Sequence, residues 1–384
     1  MIKEILSNHF LQHLLICDNR EIEKTMKNIY IAASSQHVGK TTCTLGLIST
    51  LKKQGEDVGY CKPVGQKHVD VNGEKVDKDT LLFSDLAGFN IDPRTHSPVI
   101  FWKGATIEFL ENNISQDLEK MILRAQSQLN QQHERIIYEG TGHPGVGSVA
   151  NLSNARVAKL LNASVIMVVE GGIGSTIDML NMCLALFREE DVPILGVIVN
   201  KVKPDKIDVI RKYVGKWIEQ KGLKLLGVIP YDKSLVFPLI YTIAISVKGK
   251  IEHFPEKVYN RVEGILAGSL FETDDLKTKE GQLLVVSTRG LTKSIKKIDE
   301  IEQAENISKS CLSGIVLTGD GNISRYCKDY IKAHQIPVIR TQLDTYGSVI
   351  KINNVEVKIN RSTPWKVKRA IELFENNINI SEIL

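Results

Sequence analysis

The chain has no hydrophobic run approaching the roughly 18 residues that a membrane span requires. Its N-terminus lacks the basic stretch, apolar core and small-residue cleavage site of a signal peptide. The six cysteines, Cys17, Cys43, Cys61, Cys183, Cys311 and Cys327, include no C-x-x-C pair, which argues against a zinc site and a disulfide framework. Scattered thiols fit a reducing cytosol, so a cytoplasmic location is expected. Blocks of Lys and Arg with interleaved aromatics are missing and the net charge is only +4, so neither a nucleic-acid nor a membrane partner is expected. Internal repeats and low-complexity segments are also missing. What remains is a globular composition: 384 residues, 42% hydrophobic and 24% charged, enough for one large or two ordinary domains.

The stretch from Ile29 to Leu47 organises the chain. It reads as a buried strand (Ile29 to Ala33), a turn, and a helix entered at Gly39-Lys40-Thr41-Thr42. A P-loop has this order of elements, with backbone N–H groups of the turn and the helix N-terminus aimed at a phosphate. Lys40 would reach the β- and γ-phosphates, the Thr41 hydroxyl would sit on Mg²⁺, and Thr42 would add a phosphate contact. Ser34 stands where the strict pattern has its first glycine, and a positive φ there would be strained. A Gly-Lys pair can also open an ordinary helix. The preceding strand and the doubled threonine favour phosphate binding.

Other candidates sit where strands end. The segment Asp57 to Gly65 reads as a short strand closed by Lys62-Pro63. Ligands of parallel sheets bind at such carboxyl ends, which makes Lys62 a second cation for phosphates or for a carboxylate substrate, against a plain solvated lysine. Residues 66–80 are polar and turn-rich. Asp77 and Asp79 there precede an apolar helix and suit either Mg²⁺ or a helix cap. The strand Arg135 to Glu139 runs into Gly140-Thr141-Gly142-His143-Pro144-Gly145. Glu139 stands where a metal-organising carboxylate belongs, acting directly or through water, while His143 reads as a turn or rim residue. Apolar strands at Ser164 to Val169, Ile194 to Val199 and Leu225 to Ile229 alternate with helices, the mark of a parallel sheet covered on both faces. Asn200 ends one of them, and its amide suits an adenine edge or a loop cap. Asn200-Lys201 also begins like a guanine-reading motif, so the base stays open.

Past residue 235 the pattern changes. Strands at Leu283 to Val286, Ile315 to Thr318 and Pro337 to Arg340, with a closing helix over 364–376, indicate a second, smaller α/β unit. It carries no second P-loop, metal cluster or nucleophile–base pair. The expected division is an N-terminal extension at 1–25, a nucleotide-binding domain at 26–235 and the smaller domain at 236–384.

Together these residues resemble a known architecture. Ser34 to Thr42, Lys62-Pro63-Val64, Glu139-Gly140-Thr141-Gly142, Glu170-Gly171-Gly172-Ile173-Gly174, Gly196 to Lys201 and Leu226 to Pro230 resemble dethiobiotin synthetase and the related P-loop domain near the N-terminus of bacterial phosphotransacetylases. The second domain resembles the small module called DRTGG through Val262 to Gly268, Ser313 to Gly319, Ile336 to Ile339 and Asp344-Thr345-Tyr346. The name-giving segment is Ser287-Thr288-Arg289-Gly290-Leu291 here, without its acidic residue and second glycine.

The resemblance implies an α/β, P-loop NTPase-like parallel sheet with helices on both faces, followed by a smaller DRTGG-like domain. It implies ATP and Mg²⁺, with Gly39, Lys40, Thr41, Thr42 and Asn200 on the nucleotide, Thr41, Asp79 and Glu139 on the metal, and Lys40 and Lys62 on the phosphoryl group. The function it implies is a nucleotide-binding regulatory or sensor protein with slow or absent hydrolysis, a homo-oligomer with a protein partner in acetate or acetyl-phosphate metabolism. No segment up to Leu384 reads as an acetyltransferase domain, so the front half of such an enzyme, standing alone, is expected. The alternative is an ATP-dependent ligase of dethiobiotin synthetase type, in which ATP activates a carbamate formed from a diamine and CO₂. Amidoligases are a variant of that reading, but no Cys/His constellation for a glutaminase is visible.

Overall fold

The computed structural model describes residues 28–111, 117–268, 280–306, 309–355 and 357–384. The expected extension at 1–25 lies outside the described residues. The chain divides into two compact units, Met1–Asp232 with Ile359–Leu384, and Lys233–Lys358.

The first unit is built on continuous apolar strands: β1 (Ile29–Ala33), β2 (Val58–Cys61), β3 (Arg135–Glu139), β4 (Ser164–Glu170), β5 (Ile194–Val202) and β6 (Leu225–Pro230). Strands buried on both faces have no use for polar alternation, which is why these read as unbroken apolar runs. They form one parallel six-stranded sheet in the order β6-β5-β4-β1-β3-β2. The chain fills one side of β1 first (β2, β3) and then the other (β4, β5, β6). The direction of winding therefore reverses at β1, and the crevice at its carboxyl end is the favoured ligand position of such a sheet. Helices α1 (Lys40–Lys53) and α2 (Lys78–Ala87) follow β1 and β2. The polar stretch before α2 folds as a hairpin, His68–Val71 against Glu74–Asp77. Its tip, Asn72-Gly73, has both residues at positive φ, 53° and 84°, as a tight two-residue hairpin turn requires.

The second unit holds a five-stranded sheet of β7 (Lys250–His253), β8 (Gly264–Ala267), β9 (Gln282–Ser287), β10 (Leu312–Thr318) and β11 (Val338–Thr341) in the order β7-β11-β10-β9-β8. All pairs are parallel except β7 with β11. One face buries Ile295, Ile298, Cys327 and Ile331 from helices Thr288–Ala304 and Arg325–His334. The other buries Ile240, Ile243 and Ile352 from helices Ile240–Ser246 and Thr345–Asn353.

The expected boundary of 236–384 needs correction at its far end, because the chain leaves the second unit at Lys358 and returns to the first. Helix Pro364–Asn377 lies along α1, so close that a Cβ on Gly46 would meet the Phe374 ring at 2.1 Å. Ile378 then bridges antiparallel to Gly227 on the edge strand β6, and Asn379 N donates to Leu226 O at 3.1 Å. Arg361 forks onto Asp85 of α2 at 2.7 and 2.9 Å. The sequence indicates a closing helix here; what its buried side (Ala370, Leu373, Phe374) covers is a non-local matter. Among the described residues no helix is long and apolar enough to cross a membrane.

Candidate phosphate and metal site

The turn after β1 begins at Ser34, which is buried and whose N–H donates to Val168 O at 3.0 Å. Ser34 is not at positive φ. The left-handed positions are His37 (φ 61°) and Gly39 (φ 112°). The strain expected at Ser34 therefore falls on His37, of a residue type that tolerates αL better than most, and on a glycine. Gly39 has a second reason to be glycine: a Cβ there would sit 2.0 Å from Asn200 Nδ2. Helix α1 starts at Lys40 with no side-chain cap and no acidic residue in its first turn. Its first N–H groups carry the positive end of the helix dipole and are not answered by a cap.

Lys40 is buried and folds back over the turn, donating to Ser35 O at 3.1 Å and to Gly142 O at 2.8 Å. Thr41 Oγ1 donates to Glu139 Oε1 at 3.1 Å. Thr42, the next residue, is buried. The loop after β1 and the end of β3 thus meet.

Register brings in the next residue. Cys61 pairs with Tyr138, which sets Lys62 beside Glu139. The Lys62 ammonium is 2.5 Å from Asp79 Oδ2, 3.2 Å from Glu139 Oε1 and 4.0 Å from Asp77 Oδ1. Lys62 is not the solvated lysine of the alternative reading; it is 5% exposed and surrounded by carboxylates. Burial works against its charge, but Asp79, Glu139 and Asp77 outweigh burial and hold its pKa well above the ordinary lysine value. Asp77 also caps α2 by accepting from Asp79 N at 2.9 Å, which is the helix-cap reading of this acidic pair.

Burial pushes the Glu139 carboxyl above the usual carboxylate range; Lys62 opposes this and Asp79 adds to it. Burial likewise raises Asp77. Around Lys62, three carboxylates face one ammonium, leaving negative charge in formal excess. Glu139 Oε2 is buried with no hydrogen-bond partner. A hydroxyl, two reachable carboxylates and a spare buried lone pair are hard oxygen donors that fit Mg²⁺, which keeps waters and phosphate oxygens in its shell. Among the described residues there is no group of three or more His, Cys, Asp or Glu that would form an all-protein cage.

Two buried asparagines hold the loops of this site. Asn200 is buried, and its Nδ2 donates to Val38 O at 2.7 Å. It braces the loop from near the carboxyl end of β5, with one of its two amide hydrogens on Val38 O. Asn154 was missed. It is buried at the start of helix Asn154–Leu160, and its amide makes four hydrogen bonds, to Tyr30, Thr141 twice and His143. Ser153 marks a helix start in the sequence, but nothing local points Asn154 at the turn after β3.

Residues 27–238 match the AAA domain family AAA_26. The chain is 24% identical over 371 residues to a phosphate acetyltransferase of Nitrosomonas europaea, covering 92% of this chain and 50% of that protein. It thus spans about half the length of the phosphate acetyltransferases it matches. It is 24% identical over 218 residues to the ATP-dependent dethiobiotin synthetase BioD of Clostridium acetobutylicum, covering 54% of this chain and 87% of that enzyme. Among solved structures, the MinC:MinD cell division protein complex of Aquifex aeolicus aligns at 17% identity over 55% of this chain and 84% of that chain. Its TM-score of 0.35 is too low to add to the fold.

Proposed function

This chain belongs to the AAA_26 family of AAA domains, and from that premise we propose that its first unit binds Mg·ATP in the crevice between the turn after β1 and the end of β3. The observation that carries the reading is Glu139, buried with one oxygen on Thr41 and Lys62 and the other without a partner. The phosphates lie over the N–H groups of Gly39 to Thr42, and Lys40 exchanges its two carbonyl partners for phosphate oxygens. Thr41, Glu139 and Asp79 hold the metal, which neutralises charge on the phosphates. Lys62 keeps the neighbouring carboxylates together in a site where they would otherwise repel. Asn200 contributes by holding Val38. The relatives named ATP-dependent dethiobiotin synthetase favour ATP as the nucleotide.

The role proposed for the whole chain is that of a nucleotide-dependent regulatory protein, with a protein partner in acetate or acetyl-phosphate metabolism. Its support is a similarity to phosphate acetyltransferases that runs through both units. The second reading is an ATP-dependent ligase of dethiobiotin synthetase type, favoured by the 87% coverage of that enzyme. Phosphorus NMR of stoichiometric Mg·ATP with the full chain, followed over hours beside Lys40→Ala, separates the two. Perturbed γ-phosphate resonances without free phosphate support the regulatory reading. Steady phosphate release abolished by Lys40→Ala supports the ligase. Unperturbed resonances would contradict both.

A further inference from the structure

We propose that Asn154 is a positioning residue that fixes the resting place of the Lys40 ammonium before nucleotide arrives. The inference rests on the Mg·ATP reading above and adds a residue to it. Asn154 is 4% exposed. Its Oδ1 accepts from Tyr30 OH at 2.7 Å and from Thr141 N at 3.0 Å. Its Nδ2 donates to Thr141 O at 2.7 Å and to His143 O at 2.6 Å. One amide therefore uses both donors and both acceptor positions, which is its full capacity. No other side chain type offers two donors and two acceptor sites at that length.

The partners matter more than the count. Tyr30 belongs to β1, the strand that feeds the phosphate turn, while Thr141 and His143 flank Gly142. Gly142, at φ 65°, presents the carbonyl that accepts from Lys40 Nζ at 2.8 Å. Fixing the residues on either side fixes that carbonyl. The fit is close: a Cβ on Gly140 would lie 2.7 Å from Asn154 Oδ1 and 2.9 Å from the Tyr30 ring. The backbone joins in, with Asn154 N donating to Pro144 O at 2.8 Å. Thr141 Oγ1 in turn donates to Val64 O, two residues past Lys62. Asn154 thereby acts on Lys40 through the Gly142 turn. A long, flexible ammonium side chain held near its working position has less freedom to lose when the phosphates bind.

The test uses the full chain and a double-mutant cycle of Asn154→Asp with Lys40→Met, read by calorimetric titration of Mg·ATP and by thermal melting. Aspartate keeps the acceptor for Tyr30 and Thr141 N but sets a carboxylate oxygen against the carbonyls of Thr141 and His143. Asn154→Asp should weaken Mg·ATP by about tenfold when Lys40 is present and by less than about twofold when it is methionine. A residue that only supports the fold would weaken binding by the same factor in both backgrounds, and that result overturns the proposal. Should Asn154→Asp fail to fold, Tyr30→Phe removes only one of the four bonds; it should give a smaller loss, again only when Lys40 is present, and equal losses in both backgrounds would overturn the proposal. If Lys40→Met alone leaves affinity unchanged, the Mg·ATP assignment falls and this inference falls with it. A cycle with a Lys40 effect but no coupling overturns the Asn154 proposal and leaves the Mg·ATP reading standing.

Discussion

Two buried glutamates, one in each unit, face opposite fates. Glu302 of the second unit and Glu139 of the first are 4% and 1% exposed. Glu302 spends both oxygens within its own unit: Oε1 accepts from Ser310 Oγ at 2.9 Å and Cys311 N at 2.8 Å, and Oε2 accepts from Tyr330 OH at 2.6 Å. Glu139 shares one oxygen between Thr41 and Lys62 and leaves the other unbonded. The start of α1 adds a second contrast. Ser287, Ser324 and Asp344 each cap the helix that follows a strand of the second sheet. Helix α1 of the first unit starts from Gly39 with no such cap. Glu302 is thus closed within its own unit, while Glu139 and the start of α1 keep polar groups in reserve. An incompletely satisfied buried charge beside an uncapped helix start is what distinguishes a ligand site from internal bracing.

The largest test of this contrast concerns the boundary between the units. Phe374→Ala should remove about 3–5 kcal/mol from the first unit, because the ring fills the notch at Gly46 on α1. Differential calorimetry should show the first unit's transition moving down while the second unit's stays; a uniform shift would deny that residues 359–384 belong to the first. Glu302→Ala should cost the second unit about 3 kcal/mol by taking the acceptor from the Cys311 N–H and from the Ser310–Tyr330 hydroxyl pair, without changing nucleotide affinity, and a change in affinity would blur the division. Lys40→Ala should weaken Mg·ATP by about 2 kcal/mol, close to thirtyfold, with little change in melting temperature. Calorimetric titration reads this directly.

The smallest effect has the opposite sign. Glu139→Gln should slightly stabilise the nucleotide-free protein at neutral pH while removing the Mg²⁺ dependence of binding. The sign follows from the raised pKa of Glu139. A carboxyl that holds its proton more tightly when folded favours the fold below the ordinary carboxylate pKa. That contribution is lost as pH rises through the raised value. Melting curves across the acid range should therefore be flatter for Glu139→Gln than for the parent chain. A steeper dependence would contradict the assignment.

Much of the candidate site was legible because its signals are local. Lys40, Thr41 and Thr42 follow a strand, Lys62 precedes a proline, and Glu139 ends an apolar run. Each can be placed at a carboxyl strand end without knowing what lies opposite. What was not legible is what the sheet order decides. Lys62 meets Glu139 because β2 pairs with β3, not because of any spacing between them. Asn154 reaches Tyr30 and Thr141 across the sheet. Asn200 was legible near the carboxyl end of β5, and that its amide holds Val38 was not. The hairpin at 68–77 was visible only as polar residues around Asn72-Gly73. The C-terminal helix was legible as a helix, and its return to α1 was not.

The nucleotide site proposed for the first unit lies at the Glu139–Lys62 cluster. Hydrogen exchange of the full chain, with and without Mg·ATP, tests it most directly. New protection is expected over residues 35–44 and 139–143, with the strand ends of the second unit at 287–291 and 319–322 unchanged. Protection appearing at those second-unit strand ends while 35–44 exchanges as before would contradict it.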